Sequence, residues 1–373
     1  SVSCPILVCG AGESLDKTII PRGGCFTIAV DAALPALLRR GIRPDAVVSL
    51  ESQLFIQKAY IGAASALSAS PPLLFADISS RPSVPRSFPN KTVFFASRYA
   101  AVSYLDRLQE RGIVHDYTAP LGSVGLAATA IALRLRTDDR IPVFVTGLDF
   151  SYSAGRTHAS GVPHDIQRHT AASRLSPVEN YGAAFGQNAV PVQSKNGGTM
   201  ISITSMTGYA ESFRSLFPGQ PNLFDIGQTG LDLALPRVQN AMLLEAADKA
   251  VADTSAIDIS AVKEGSRRTT GQPPAVPQLD TQVSAFLNEE KTALRTLRDL
   301  LMHGEASGFR DTAVSLDTQL RALLTGREYL YLHFPDGYRV STDTAFLKRV
   351  RAEIDFFLKQ AGLAECLLAA KRT

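Results

Sequence analysis

The groups best suited to chemistry in this chain are clustered among glycines. The segment SYSAGRTHASG at 151–161 holds Tyr152, Arg156, Thr157 and His158, with His164 and His169 close behind, so half of the six histidines fall within twelve residues. An imidazole suits proton transfer near neutral pH, and a phenol can steady a departing phosphate oxygen. Spacings of six and five do not put three histidines on one helical face, and no paired acid accompanies them, so no metal ligand is assigned. A second cluster, LVCGAGESL at 7–15, runs a strand into Gly10, Gly12 and Ser14. Glycines there permit a tight turn and close approach of backbone amides to a phosphate, with Ser14 as an added hydroxyl donor. Asp31, Glu51, Asp77 and Asp149 each close or follow an apolar run, where a carboxylate either accepts bonds from a ribose or base or simply caps the next turn. In PLGSVGLAATAIAL at 120–133, Gly122 and Ser123 open a small-residue helix whose exposed amides suit an anion.

These groups need a frame. Short apolar runs at 5–10 and 26–30 read as buried strands, and the strand rhythm continues at 46–50, 72–77, 92–96 and 141–147, with helices at 32–40, 100–111 and 123–135 between them. The alternation predicts an α/β fold with an open, mostly parallel, doubly wound sheet, which binds ligands beyond the carboxyl ends of its strands. The Gly-x-Gly turn followed by Asp31 mimics a nicotinamide fingerprint, but Leu15 replaces the third glycine and PRGG at 21–24 shortens the helix. A nucleotide is favoured and NAD is not. From 148 to 240 the pattern is loop-rich, with an insertion at about 150–200 and a returning helix at 205–217. Residues 1–262 are expected to form the α/β domain, 263–280 a basic, Pro-rich linker, and 281–373 a C-terminal helical domain.

Composition narrows the function. The 38 basic and 35 acidic side chains give a net charge of +3, too near balance for a nucleic-acid footprint. The four cysteines have no Cys-x-x-Cys spacing, which fits a reducing cytoplasm. No run of about 18 apolar residues is present, so no membrane insertion is expected. The sequence starts at Ser1 with no charged leader or cleavage site, which reads as a processed product or part of something longer.

GAGESL, DAALPALLRRGIRPDAVVSLES, GSVGLAATAIAL and above all GLDFSYSAGRTHASG resemble the central domain of the Maf (motility-associated factor) flagellin glycosyltransferases, within the group of 6-hydroxymethylpterin diphosphokinase MptE-like domains. The resemblance covers about residues 5–215, and the last helices are similar to that family's helical domain. It implies a Rossmann-like, sialyltransferase-related fold and transfer of a nonulosonic acid from a CMP-activated donor to Ser or Thr hydroxyls of flagellin, with the family's N-terminal domain missing here. By motif, Gly10, Gly12 and Ser14 would hold the donor phosphate, and Asp31, Glu51, Gly122 and Ser123 would line its nucleoside and sugar. Asp149, Tyr152 and His158 would surround the reacting centre. Ala11, Glu13 and Glu51 depart from the sialyltransferase pattern, and Glu13 would repel an anionic donor unless it points away.

The expected chemistry is inverting transfer through an oxocarbenium-like transition state, with His158 taking the acceptor proton and no cofactor required beyond the CMP-sugar. The expected partners are flagellin, the nucleotide-sugar donor and a second copy of the chain; nucleic acid is excluded. Two alternatives stand beside this: an ATP-dependent 6-hydroxymethylpterin diphosphokinase, and a module that binds nucleotide or flagellin without turnover.

Overall fold

Side chains that alternate between the two faces of a strand yet are apolar on both can be buried only between two covering layers, and the central run of this chain meets that condition. Ile6, Leu7, Val8 and Cys9 are all fully buried in β1 (Ile6–Cys9). In the computed structural model, β1 is flanked by β2 (Phe26–Val30), β3 (Ala46–Ser49), β4 (Leu73–Asp77) and β5 (Thr92–Phe95) on one side, and by β6 (Val143–Thr146) and β9 (Leu223–Asp225) on the other. The seven-stranded order is β5-β4-β3-β2-β1-β6-β9, parallel at every pairing. The α/β class and parallel sheet are as expected. The structure describes residues 1–373 except 62, 64–65, 67–69, 89–90, 99–101, 178–182, 184, 187, 253–275, 307–312, 336–339, 342 and 371–373. Residues 263–275 of the expected linker thus lie outside the described residues.

The helix Val124–Leu135 packs on β1, β2, β3 and β6. Its alanines Ala127, Ala128 and Ala132 are buried and carry no bulk to hold it away from the sheet. The stretch expected to be loop-rich contains more order than its composition suggests. It holds the helix Pro163–Ala171, an antiparallel hairpin of β7 (Ala189–Gln193) and β8 (Thr199–Ile203), and the seventh sheet strand β9, and the helix Asn240–Ala252 follows it.

By contact density the chain divides into Ser1–Ser97 with Pro120–Ser266, and Arg98–Ala119 with Arg267–Thr373. The second unit is helical. Leu297, Leu324, Leu330, Phe346 and Ile354 join its core, supplied by the helices Val276–Ala306, Ala313–Leu324 and Thr344–Ala370 and the turn between the last two. The helix Ser103–Glu110, read from sequence within the alternating run, belongs to this unit. Its Leu105 and Leu108 cluster with Phe286, and its Arg107 pairs with the buried Glu290, which also accepts from Arg327 (3.0 Å) and the Tyr329 hydroxyl (2.6 Å). A buried carboxylate needs such donors to remain charged. Among the described residues no helix is long and apolar enough to cross a membrane.

Two glycines hold the centre of the first unit together. A Cβ on Gly10 would lie 2.2 Å from the Gly147 carbonyl oxygen, and one on Gly147, whose φ is +69°, would lie 2.3 Å from the Gly10 oxygen. Gly147→Ala therefore meets both a backbone clash and left-handed strain, and is expected to lower stability by about 2–4 kcal/mol in denaturant unfolding. Gly23→Ala, which would meet nothing within 4 Å, is the matched control expected to stay within about 0.5 kcal/mol.

Candidate active site

In an open parallel sheet the loops leaving two adjacent strands diverge where the strand order reverses, and a crevice opens outside their carboxyl ends. Here that point lies between β1 and β6, which pair Cys9 with Thr146. A cavity of about 240 Å³ sits there, walled by the Gly10–Gly12 turn, Asp31, the helix start at Ser123, the 147–151 segment, and His158.

The glycine turn is bound chiefly to its neighbour loop. The Gly10 amide donates to the Thr146 carbonyl (2.8 Å), the Gly12 amide to the Gly147 carbonyl (2.8 Å), and the Ser14 amide to Asp149 Oδ2 (2.8 Å). The Ser14 hydroxyl donates to Asp149 Oδ1 and accepts from the Gly147 amide. A Cβ on Gly12 would fall 2.6 Å from Asp149 Oδ2, so glycine is required by the carboxylate as much as by any ligand. Gly10 and Gly12 line the cavity, whereas Ser14 is buried behind it.

Glu13 points away from the cavity. It accepts from the Ser153 amide and from the Ser153 hydroxyl (2.7 Å), while Asp16 pairs with Arg156 and accepts from the Ser160 amide. The Ala159 amide donates to the Ala11 carbonyl (2.9 Å). The two acids of the GAGESLD turn thus clasp SYSAGRTHAS and fold it back over the glycines. This arrangement places His158 in the cavity wall.

Beneath the turn lies a buried ionic group that the sequence reading missed. Lys195 in the β7–β8 turn pairs with Asp225 at the tip of β9 at 2.5 Å, both side chains 3% exposed or less. Burial pushes the Asp149 carboxyl up to about 6; its Ser14 bonds and the nearby Lys195 ammonium oppose that rise, and Asp225 adds to it. Asp225 is also raised by burial and pulled back by Lys195. The one available signal was Asn196-Gly197 in SKNGG, a strong hairpin cue.

A second cavity of about 270 Å³ adjoins the first and shares Asp31, Ala32, Val124 and His158 with it. Glu51 lines it and accepts from the Gln53 amide (2.9 Å). Asp31 accepts from the Ala32 amide (2.7 Å) and the Ser49 hydroxyl (3.2 Å), and burial pushes it up to about 7. His158 is pushed down to about 4, by burial first and then by His164, whose ring centroid is 5.2 Å away. It is therefore a neutral imidazole at neutral pH, with Nδ1 2.9 Å from the Thr157 hydroxyl.

The structure brings Gly10, Gly12, Asp31, Ser123, Asp149 and His158 to one cavity and Glu51 to its neighbour. Ser123 caps its helix, accepting from the Gly125 amide at 3.3 Å. Gly122 stands one residue back from the lining, and its φ of +67° sets the turn into that helix. Tyr152 is not in either lining. It bridges to Ile201 of the hairpin, and its hydroxyl donates to the Ala183 carbonyl (2.8 Å). Asp77 serves its turn, accepting from the Ser79 and Ser97 amides (both 2.8 Å). Among the described residues no group of three or more His, Cys, Asp or Glu is arranged to hold a metal ion.

Residues 1–155 match the family model described as 6-hydroxymethylpterin diphosphokinase MptE-like. Over 371 residues the chain is 35% identical to an uncharacterized protein of Treponema pallidum (strain Nichols), covering 96% of this chain and 61% of that protein. It is also similar to the structure of a Maf glycosyltransferase from Magnetospirillum magneticum AMB-1, with 17% identity and a TM-score of 0.46, covering 99% of this chain and 56% of that one. The chain spans about three-fifths of the length of these relatives.

The ionic group beneath the turn gives a direct stability test. Lys195→Met leaves buried carboxylates uncompensated and is expected to cost about 3–5 kcal/mol in guanidinium unfolding. Adding Asp225→Leu removes the stranded charge and is expected to restore a large part of that loss. A silent single variant would show that the pair does not support the site.

Proposed function

We propose that this chain is the transferase portion of a glycosyltransferase that moves a nonulosonic sugar from a CMP-activated donor to a hydroxyl of a protein acceptor, flagellin being the acceptor that the GLDFSYSAGRTHASG block suggests. The observation that carries this reading is the cavity at the β1/β6 switch point, where a helix N-terminus and a neutral imidazole face the same space.

In such a reaction the acceptor oxygen forms a bond to the anomeric carbon while the bond to the phosphate oxygen breaks, and CMP leaves with the electron pair. The growing phosphate charge would be met by the amides that open Val124–Leu135 and by the helix dipole. The amides of Gly10, Gly12 and Ser14 are already engaged, so their part is to hold the cavity's shape. His158, unprotonated at neutral pH, would accept the acceptor proton as it is released; such a group contributes about 10- to 100-fold, its low basicity setting the lower end. Asp149 then acts by positioning the turn, and Tyr152 by pinning the hairpin to the loop.

The MptE-like match supports a second reading, an ATP-dependent diphosphokinase. A thermal-shift series with CMP, UDP, ATP and NAD separates the two. CMP at about 100 times its dissociation constant is expected to stabilise the protein by about 2.7 kcal/mol. A response to ATP with magnesium in place of CMP would favour the kinase. His158→Gln is expected to reduce transfer at least about tenfold while leaving CMP affinity intact; unchanged transfer would remove His158 from the mechanism, and a protein that binds CMP without any transfer would be a binding module.

A further inference from the structure

The two cavities present an unusual charge balance for the ligand proposed above. Among the described residues their ionisable carboxyl and imidazole side chains are Asp31, Asp149, Glu51, His158 and His164, and neither lining includes a lysine or arginine. An anionic nucleotide entering here meets carboxylates. Asp149 is already answered: both its oxygens accept from Ser14, and the Lys195 ammonium lies behind it. Asp31 has no such cation. It is 3% exposed, and its hydrogen bonds come from the Ala32 amide and the Ser49 hydroxyl. The titratable groups that face it from the elements around it are Glu51 after β3, the buried Tyr60 phenol of the helix Gln57–Ile61, the neutral His158 in the shared cavity wall, and His164 in the first turn of the helix Pro163–Ala171, which lines the second cavity with Asp31. None of these is a lysine or arginine, the side chains that carry a permanent charge near neutral pH.

We propose that the cavity binds its anionic ligand together with one proton taken from solvent onto Asp31, so that a neutral carboxyl faces the ligand's negative charge where other sites use a cationic side chain. The inference rests on the nucleotide reading given under Proposed function. Two like charges cannot share a buried space without one being neutralised, and a proton is the neutraliser that Asp31 can acquire without moving. Burial has already raised this carboxyl to about 7, so little is needed to complete its protonation when an anion arrives. A protonated Asp31 gains an O–H donor that the carboxylate lacks. A divalent cation brought in by the ligand is the competing neutraliser.

The probe is the methyl diester of CMP, whose single negative charge does not titrate in the range used. Calorimetric titration of the full chain in buffers of differing protonation enthalpy counts the protons taken up. Uptake is expected to approach one proton per ligand at about pH 8 and to fall towards zero at about pH 5.5, where Asp31 already holds its proton. Asp31→Asn, which carries a neutral donor at every pH, is expected to abolish the uptake and to bind the probe up to about tenfold tighter than the native chain at about pH 8. Binding at about pH 8 without proton uptake, binding that requires magnesium, or uptake that survives Asp31→Asn and vanishes in His158→Gln would each overturn the proposal. Absence of any binding heat would instead defeat the nucleotide reading, and this inference with it.

Discussion

The carboxylate of Asp149 is the point on which the first unit turns. Parallel strands can be laid beside one another by apolar burial alone, but burial does not dictate how the loops beyond their ends are arranged. Asp149 settles that arrangement by accepting from both the amide and the hydroxyl of Ser14, binding the loop after β6 to the turn after β1. Gly10 and Gly147 make the same junction possible sterically, since their backbones touch where any side chain would collide. A carboxylate buried in this way is costly unless its charge is answered. Lys195 and Asp225 extend the network to the hairpin and to β9, so the cavity floor, the hairpin and the sheet edge form one polar unit.

From that junction follows the position of the groups able to do chemistry. Glu13 and Asp16, on the turn that Asp149 holds, clasp the 151–161 segment through Ser153, Arg156 and Ser160. His158 is placed by that clasp and kept uncharged by burial beside His164. The opposite wall is a helix N-terminus. The cavity therefore combines a neutral imidazole, a carboxyl raised by burial and a positive helix end. Asp31 and His158 have been shifted in opposite directions by the same cause, loss of solvent, which leaves His158 neutral and brings Asp31 close to its midpoint near neutral pH.

What the amino-acid pattern revealed and what it hid have physical reasons. The six strands ahead of residue 150 were legible because each is a short apolar run, and all but 92–96, which runs into Ser97, close on Gly or an acid. The helix Val124–Leu135 and its Ser123 cap were legible for similar reasons. β9 was not, because LFD is three residues long and offers no period, and the hairpin was obscured by Pro191 and by polar residues facing solvent. Lys195 sits in a turn where lysine is ordinarily solvated, and only the fold reveals that it reaches a buried acid. The same reasoning explains Ser14 and Tyr152: residue type suggested contact with a ligand, whereas each hydroxyl is taken by a partner within the chain. Glu13, a misfit in a phosphate-binding turn, is accommodated because it faces Ser153.

The central claim is that the crevice between β1 and β6 is where a nucleotide binds. Amide hydrogen exchange of the full chain with and without saturating CMP tests it most directly, because it locates the ligand without relying on turnover. The account predicts new protection at residues 10–14, 122–126 and 147–158, with little change in the helices of the second unit. Protection confined to other parts of the chain, with these three segments unaltered by bound CMP, would contradict it.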